Sequence, residues 1–234
     1  MTEARGPAKK APMREVLAEA AFQLFLERGF EQTTVDDIVA RAGVGRRSFF
    51  RYFPSKEDAV FPDHERCLAD MTAFLEEAGG GDPVDAVCDA ARIVLRMYAA
   101  NPEFSVQRYR LTQEVPGLRT YELSVVRRYE RTMAGYLRSR YADAEDGSLR
   151  AEVIAAAVVA AHNNALRSWL RSGGEGDAAA AVDHALGLVR SGWGSAAVSG
   201  GEVPEADDDV VVMVVSKRAP MWRVVQRVES ALDQ

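Results

Sequence analysis

At 234 residues with 47% apolar composition, the chain is long enough to bury one or two packed cores. Two cysteines, Cys67 and Cys88, and three scattered histidines exclude a disulfide scaffold and offer no metal-ligand spacing, and no apolar run approaches a membrane span. A net charge of −6 argues against nucleic acid until it is divided: residues 1–56 carry ten Lys and Arg against seven Asp and Glu, so the acidic excess lies in the rest of the chain.

The first twelve residues, MTEARGPAKKAP, are polar and proline-bearing, and a disordered basic arm is expected over 1–12. They lack the apolar core of a secretory signal, so a cytoplasmic protein is expected. Arg5, Lys9 and Lys10 either add non-specific attraction to a polyanion or reach along it. Next comes an amphipathic helix, REVLAEAAFQLFLERGF, with Val16, Leu17, Ala20, Ala21, Leu24 and Phe25 as its apolar stripe.

The stretch TTVDDIVARAGVGRRSFFRYFPSK, residues 34 to 56 with Thr33 before it, reads as two short helices around a glycine turn. Thr34 is an N-cap whose hydroxyl serves first-turn N–H groups, and Asp36 and Asp37 sit where the helix dipole favours acid. Gly43 supplies the left-handed residue that ends the helix. In the second helix, Arg46 to Tyr52, the 100° periodicity turns Phe49 inward together with Phe53. Arg47, Ser48 and Arg51 project outward, with Arg46, Phe50 and Tyr52 at the flanks. Guanidinium groups can bond guanine O6 and N7 together, and apolar edges suit a thymine methyl. Lys56 falls at the start of the next expected helix, a natural place for a phosphate.

A long helix is expected from Ser55 to about Ala78, with Val60, Phe61, Leu68, Met71, Phe74 and Leu75 buried, stopped by Gly79–Gly81. Further helices are expected over Pro83–Ala100, Pro102–Val115, Leu118–Tyr141, Ser148–Arg171 and Asp177–Trp193. Strand-like alternation is absent, so the fold class is all-α. Residues 195–209 read as a linker and the remainder to 234 as a helical tail.

From about Met13 to Val60 the chain resembles the TetR family of bacterial transcriptional regulators. The resemblance implies an N-terminal three-helix helix-turn-helix domain over 13–56. A larger helical ligand-binding and dimerisation bundle would follow over 57–194. It implies that Arg46, Arg47 and Ser48 face the groove of double-stranded DNA. Tyr52 and Lys56 fall on phosphate-contact positions, Phe50 where the family usually has tyrosine, and Thr34 at the start of the supporting helix. Three residues depart from the pattern: Val39 for a small alanine, Gly45 for a serine cap, and Phe50 without a hydroxyl.

The resemblance also implies a homodimer through the last two body helices, whose alanines at 151–170 and 178–181 permit close approach, and a repressor released by a small-molecule inducer. An apolar or aromatic ligand would be lined by Tyr98, Phe104, Gln107, Tyr121, Tyr129, Met133, Asn163 and Trp169, with Tyr109 and Tyr136 nearby. His162–Asn163–Asn164 interrupts an apolar helix and calls for partners: a ligand, the second subunit or an internal network. No cofactor, no metal and no membrane contact is expected. Two rivals stand beside this reading. One is a helical enzyme, for which no HExxH, GxSxG or glycine-rich phosphate loop is present. The other is a DNA-binding protein without a ligand cavity.

Overall fold

The computed structural model describes residues 12–194, and over these the chain is all helical. The expectations for 1–11 and 195–234, the basic arm and the C-terminal linker and tail, lie outside the described residues. Three helices come first: α1 (Met13–Arg28), α2 (Val35–Ala42) and α3 (Arg46–Tyr52). Six follow: α4 (His64–Glu77), α5 (Pro83–Ala99), α6 (Pro102–Glu114), α7 (Pro116–Arg140), α8 (Gly147–Arg171) and α9 (Ala178–Trp193).

Local chemistry sets the boundaries. Thr34 Oγ1 accepts from the Asp37 N–H at 3.2 Å while the Asp37 carboxylate accepts from the Thr34 N–H at 2.9 Å, a reciprocal cap that starts α2. Gly43 ends α2 at φ 67°, a conformation that a side chain would strain. Asp82, Asn101 and Asp177 cap α5, α6 and α9 through their side chains. Proline occupies the first turn of α5, α6 and α7, where its missing N–H leaves no bond unmade.

The largest departure from expectation is at α4, which begins at His64 rather than Ser55. Residues 54–63 form a succession of turns. Asp58 accepts from the backbone N–H and the hydroxyl of Ser55, closing the turn locally. Pro62 then lacks a donor and biases the residue before it away from helix, so α4 cannot extend backward through it. Val60 and Phe61 are buried as expected, but from this turn, and Phe74 is 38% exposed.

Two buried clusters organise the described residues. One gathers Phe22, Phe25, Phe30, Phe49, Phe53 and Phe61 with aliphatics of α1 and α2. It also takes in Leu111 of α6 and Leu118 of α7, and the Phe22 and Phe104 rings lie 4.5 Å apart. The elbow between α6 and α7 thus closes the N-terminal core. The second cluster is built from α4, α5, α7, α8 and α9 with Val106 of α6, and is rich in alanine and valine. Small side chains let α8 and α9 pack closely.

Candidate nucleic-acid interface and internal cavity

α3 is seven residues long, too short to persist alone, and is held by its inward aromatics. Phe49 and Phe53 are fully buried, with ring centroids 5.5 Å apart. The opposite face is open. Arg47 is exposed and, among the described residues, has no hydrogen-bond or ion-pair partner, and Ser48 is half-buried beside it. Arg46 is pre-positioned: its guanidinium meets Asp36 at 2.9 Å and lies over the Phe50 ring at 5.6 Å. Phe50 is 46% exposed, a large apolar surface on the outer face. Arg51 donates to the Tyr52 hydroxyl at 2.7 Å and stacks over that ring at 4.6 Å.

Lys56 stands in the turn and not at a helix start. Its ammonium donates to the carbonyls of Phe30 at 2.8 Å and Thr33 at 3.0 Å and lies 4.1 Å from the Phe30 ring centre. It therefore ties the turn after α3 to the loop between α1 and α2. The structure places Thr34 at the α2 cap on the same unit as α3.

Inside the body, α4, α5, α7 and α8 line a cavity of about 40 Å³. At about 10–15 Å³ per water, that is room for a few solvent molecules. Four residues expected to bind a ligand meet there: Tyr98, Tyr129, Met133 and Asn163. The other four do not line it. Phe104 packs on Phe22, and Gln107 donates to Glu103 at the surface. Trp169 is buried in the body core, and Tyr121 donates to Asp58 at the junction with the N-terminal unit. Tyr109 and Tyr136 are half-buried at the edge of the core.

Polar lining residues were less visible from sequence. His64 is buried, and its Nδ1 lies 2.9 Å from the Tyr129 hydroxyl, which donates to the His64 carbonyl at 3.2 Å. Its Nε2 lies 3.5 Å from the Tyr98 hydroxyl. Burial, followed by the charges of Arg108 and Arg128, holds this imidazole well below its ordinary range and keeps it neutral. Burial likewise pushes the Glu122 carboxyl up, against the pull of Arg167 and Arg108. His162 is buried, and burial lowers it to about 4. Arg108 is 2% exposed, and its guanidinium stacks 4.4 Å over Tyr98 and 5.2 Å over Phe104. The sequence did carry a signal for these groups. His64 shares the stripe of Cys67, Met71 and Leu75, and His162 that of Ala155, Val158 and Leu166. Among the described residues no group of three or more ligating side chains could hold a metal ion, and no helix is long and apolar enough to cross a membrane.

Comparison with known proteins agrees with this arrangement. Residues 17–60 match the profile of bacterial regulatory proteins of the tetR family, and residues 81–194 match that of the MftR C-terminal domain. The chain is 30% identical over 163 residues to the HTH-type transcriptional regulator TcmR of Streptomyces glaucescens, covering 67% of this chain and 72% of that one. It is 25% identical over 191 residues to a Mycobacterium tuberculosis protein, MftR, named for regulation of mycofactocin biosynthesis, covering 80% and 92%. Among solved structures, the SmeT–triclosan complex superposes with a TM-score of 0.57 over 89% of this chain and 99% of that one, at 19% identity. FadR of Bacillus subtilis with stearoyl-CoA gives 0.52 over 76% and 98%, at 17% identity, so both speak to the fold alone. The chain belongs to the TetR family of bacterial transcriptional regulators.

Proposed function

We propose that this chain is a repressor that binds a palindromic operator as a homodimer and leaves it when a small, largely apolar ligand enters the body cavity. The observation that carries the reading is α3. Its inward aromatics are locked in a core, and its outer face presents Arg47 unpaired beside Arg46, Ser48 and Phe50. Arg46, Arg47 and Ser48 would meet base edges, while Thr34, Arg51, Tyr52 and Lys56 hold or touch the backbone.

One recognition helix reads few base pairs, and two related by a twofold axis read half-sites about 34–36 Å apart. An exposed apolar stripe supports a second subunit packing on α8 and α9. Leu149, Val153, Ala156 and Ala160 recur at helical spacing on the exposed side of α8, and Leu188 of α9 is 65% exposed. The ligand is proposed to act through two connections. α7 carries Tyr129 and Met133 at the cavity and Leu118 and Tyr121 at the N-terminal core, where Tyr121 stacks on Phe61 at 5.3 Å. α4 begins at His64, which lines the cavity one turn from Phe61. Widening the cavity moves both, and the shift in operator affinity is bounded by the ligand's preference between the two states.

Footprinting on the DNA upstream of the protein's own coding region tests this, together with fluorescence anisotropy of that duplex against salt. The expected result is a symmetric protected site and a steep linear fall of log affinity with log salt. Protection unaffected by changes in α3, or indifference to salt, would sink the reading. Operator binding unaffected by any ligand that binds the body would leave a repressor without an effector.

A further inference from the structure

We propose that the effector of the cavity carries a hydroxyl group that hydrogen-bonds to His162 Nε2, on an otherwise apolar body. This rests on the cavity being the effector site. His162 lines the cavity and is 4% exposed, and its Nε2 is buried without a hydrogen-bond partner. Its Nδ1 lies 3.3 Å from Asn163 Oδ1. An amide oxygen only accepts, so Nδ1 carries the ring proton and Nε2 is left as a bare acceptor. Of the other polar groups in the lining, Tyr98, His64 and Tyr129 form a chain of contacts at 3.5 and 2.9 Å. Among the described residues His162 Nε2 is the fully buried atom of the lining left without a partner, and it asks for a donor from outside.

The surroundings select which donor. The lining is mostly apolar, with Met71, Val94, Leu166 and Leu170 among its residues. A carboxylate has no proton to give, and it would oppose both the Nε2 lone pair and Glu122. A cationic amine would be placed near Arg167, which also lines the cavity, and near the charge of Arg108. A neutral hydroxyl meets neither repulsion. The cavity is only about 40 Å³, so the ligand makes room by moving Met71 and Met133, whose unbranched side chains repack at little expense.

The test uses the full chain and three probes of one shape: 4-propylphenol, 4-propyltoluene and 4-propylbenzoate. Binding is measured by calorimetry and operator release by anisotropy. For the wild type, the phenol is expected to bind at least tenfold more tightly than the toluene and to release DNA at correspondingly lower concentration. In His162→Leu that gap closes, with the toluene bound as well as before or better. In His162→Gln, whose amide oxygen can still accept, part of the phenol's advantage returns. His162→Leu is expected to melt no lower than the wild type, because an unpartnered acceptor has been replaced by apolar bulk. If it does not fold, His162→Phe, which also lacks an acceptor and is closer in shape to the imidazole, reads the same gap. Equal binding of phenol and toluene, a gap that survives in His162→Leu, or tightest binding of the benzoate overturns the proposal but leaves the cavity as effector site. Failure of every probe to bind or to alter operator occupancy overturns both.

Discussion

The two cores of this molecule are made of different material. Around α1, α2 and α3 the interior is aromatic: six phenylalanines interlock, and the buried polar side chain among them, Thr33, donates to the Gly29 carbonyl at 2.8 Å. The body interior is alanine, valine and methionine, and it holds His64, Arg108, His162 and the cavity. Interlocking rings have one good packing, which suits the proposed role of holding arginines against a groove. Small and unbranched side chains around unspent polar groups tolerate repacking, which suits the proposed ligand cavity. Rigidity and adaptability are thus separated along the chain and joined at the α6–α7 elbow.

The largest effect that could break this contrast is on stability. Phe49→Ala should cost about 3–5 kcal/mol, read from denaturant midpoints, because the ring is wholly buried. Met133→Ala, beside a cavity, should fall nearer about 2 kcal/mol, the low end for such changes. Equal losses would erase the distinction. Next comes a pair of basic residues on the DNA-binding unit. Lys56→Ala should weaken binding to every sequence alike and lower the melting temperature, since charged donors to carbonyls are each worth about 1.5–3 kcal/mol. Arg47→Ala should leave melting unchanged and relax base preference by about 1–3 kcal/mol. Matching behaviour of the two would count against these roles.

Acid should separate the regions next. His162 is lowered from 6.5 to about 4 in the folded chain, and His64 is lowered too, so the unfolded chain binds more protons between those values. Their contribution is complete above about pH 6.5 and is lost as pH falls toward 4. Trp169 and Trp193 lie on α8 and α9 and no tryptophan occurs in α1, α2 or α3, so tryptophan fluorescence during acid titration does not report directly on the DNA-binding unit. His162→Leu should flatten the stability slope across that window; an unchanged slope would place the titrating group elsewhere. The smallest effect is expected at the exposed Arg46–Asp36 pair. Asp36→Ala should cost under about 1 kcal/mol of stability and chiefly alter how Arg46 presents itself to DNA.

Much of this was legible before the structure. Thr34, Asp37 and Gly43 act locally, through bonds within a few residues, so residue type and spacing were enough to mark α2 and its neighbour α3. The inward turn of Phe49 and Phe53 followed from helical period alone. The start of α4 was misplaced because proline's effect at position 62 and the Ser55–Asp58 turn compete with an apolar pattern that does not distinguish helix from buried turn. Half of the expected ligand residues fell elsewhere for a related reason. Aromatic character marks burial, but it does not say against what: Phe104 and Tyr121 are as aromatic as Tyr98 and face the N-terminal unit.

The sequence by itself therefore determined the helical composition, the caps and turn of the DNA-binding unit, and which face of each helix is apolar, because these depend on neighbours within a turn or two. Only the tertiary structure decided that Lys56 is spent on two carbonyls, that the α6–α7 elbow completes the N-terminal core, and that His64 and His162 meet one cavity. Those facts join residues dozens of positions apart, and such pairings are set by how packed helices cross, which helical period leaves open.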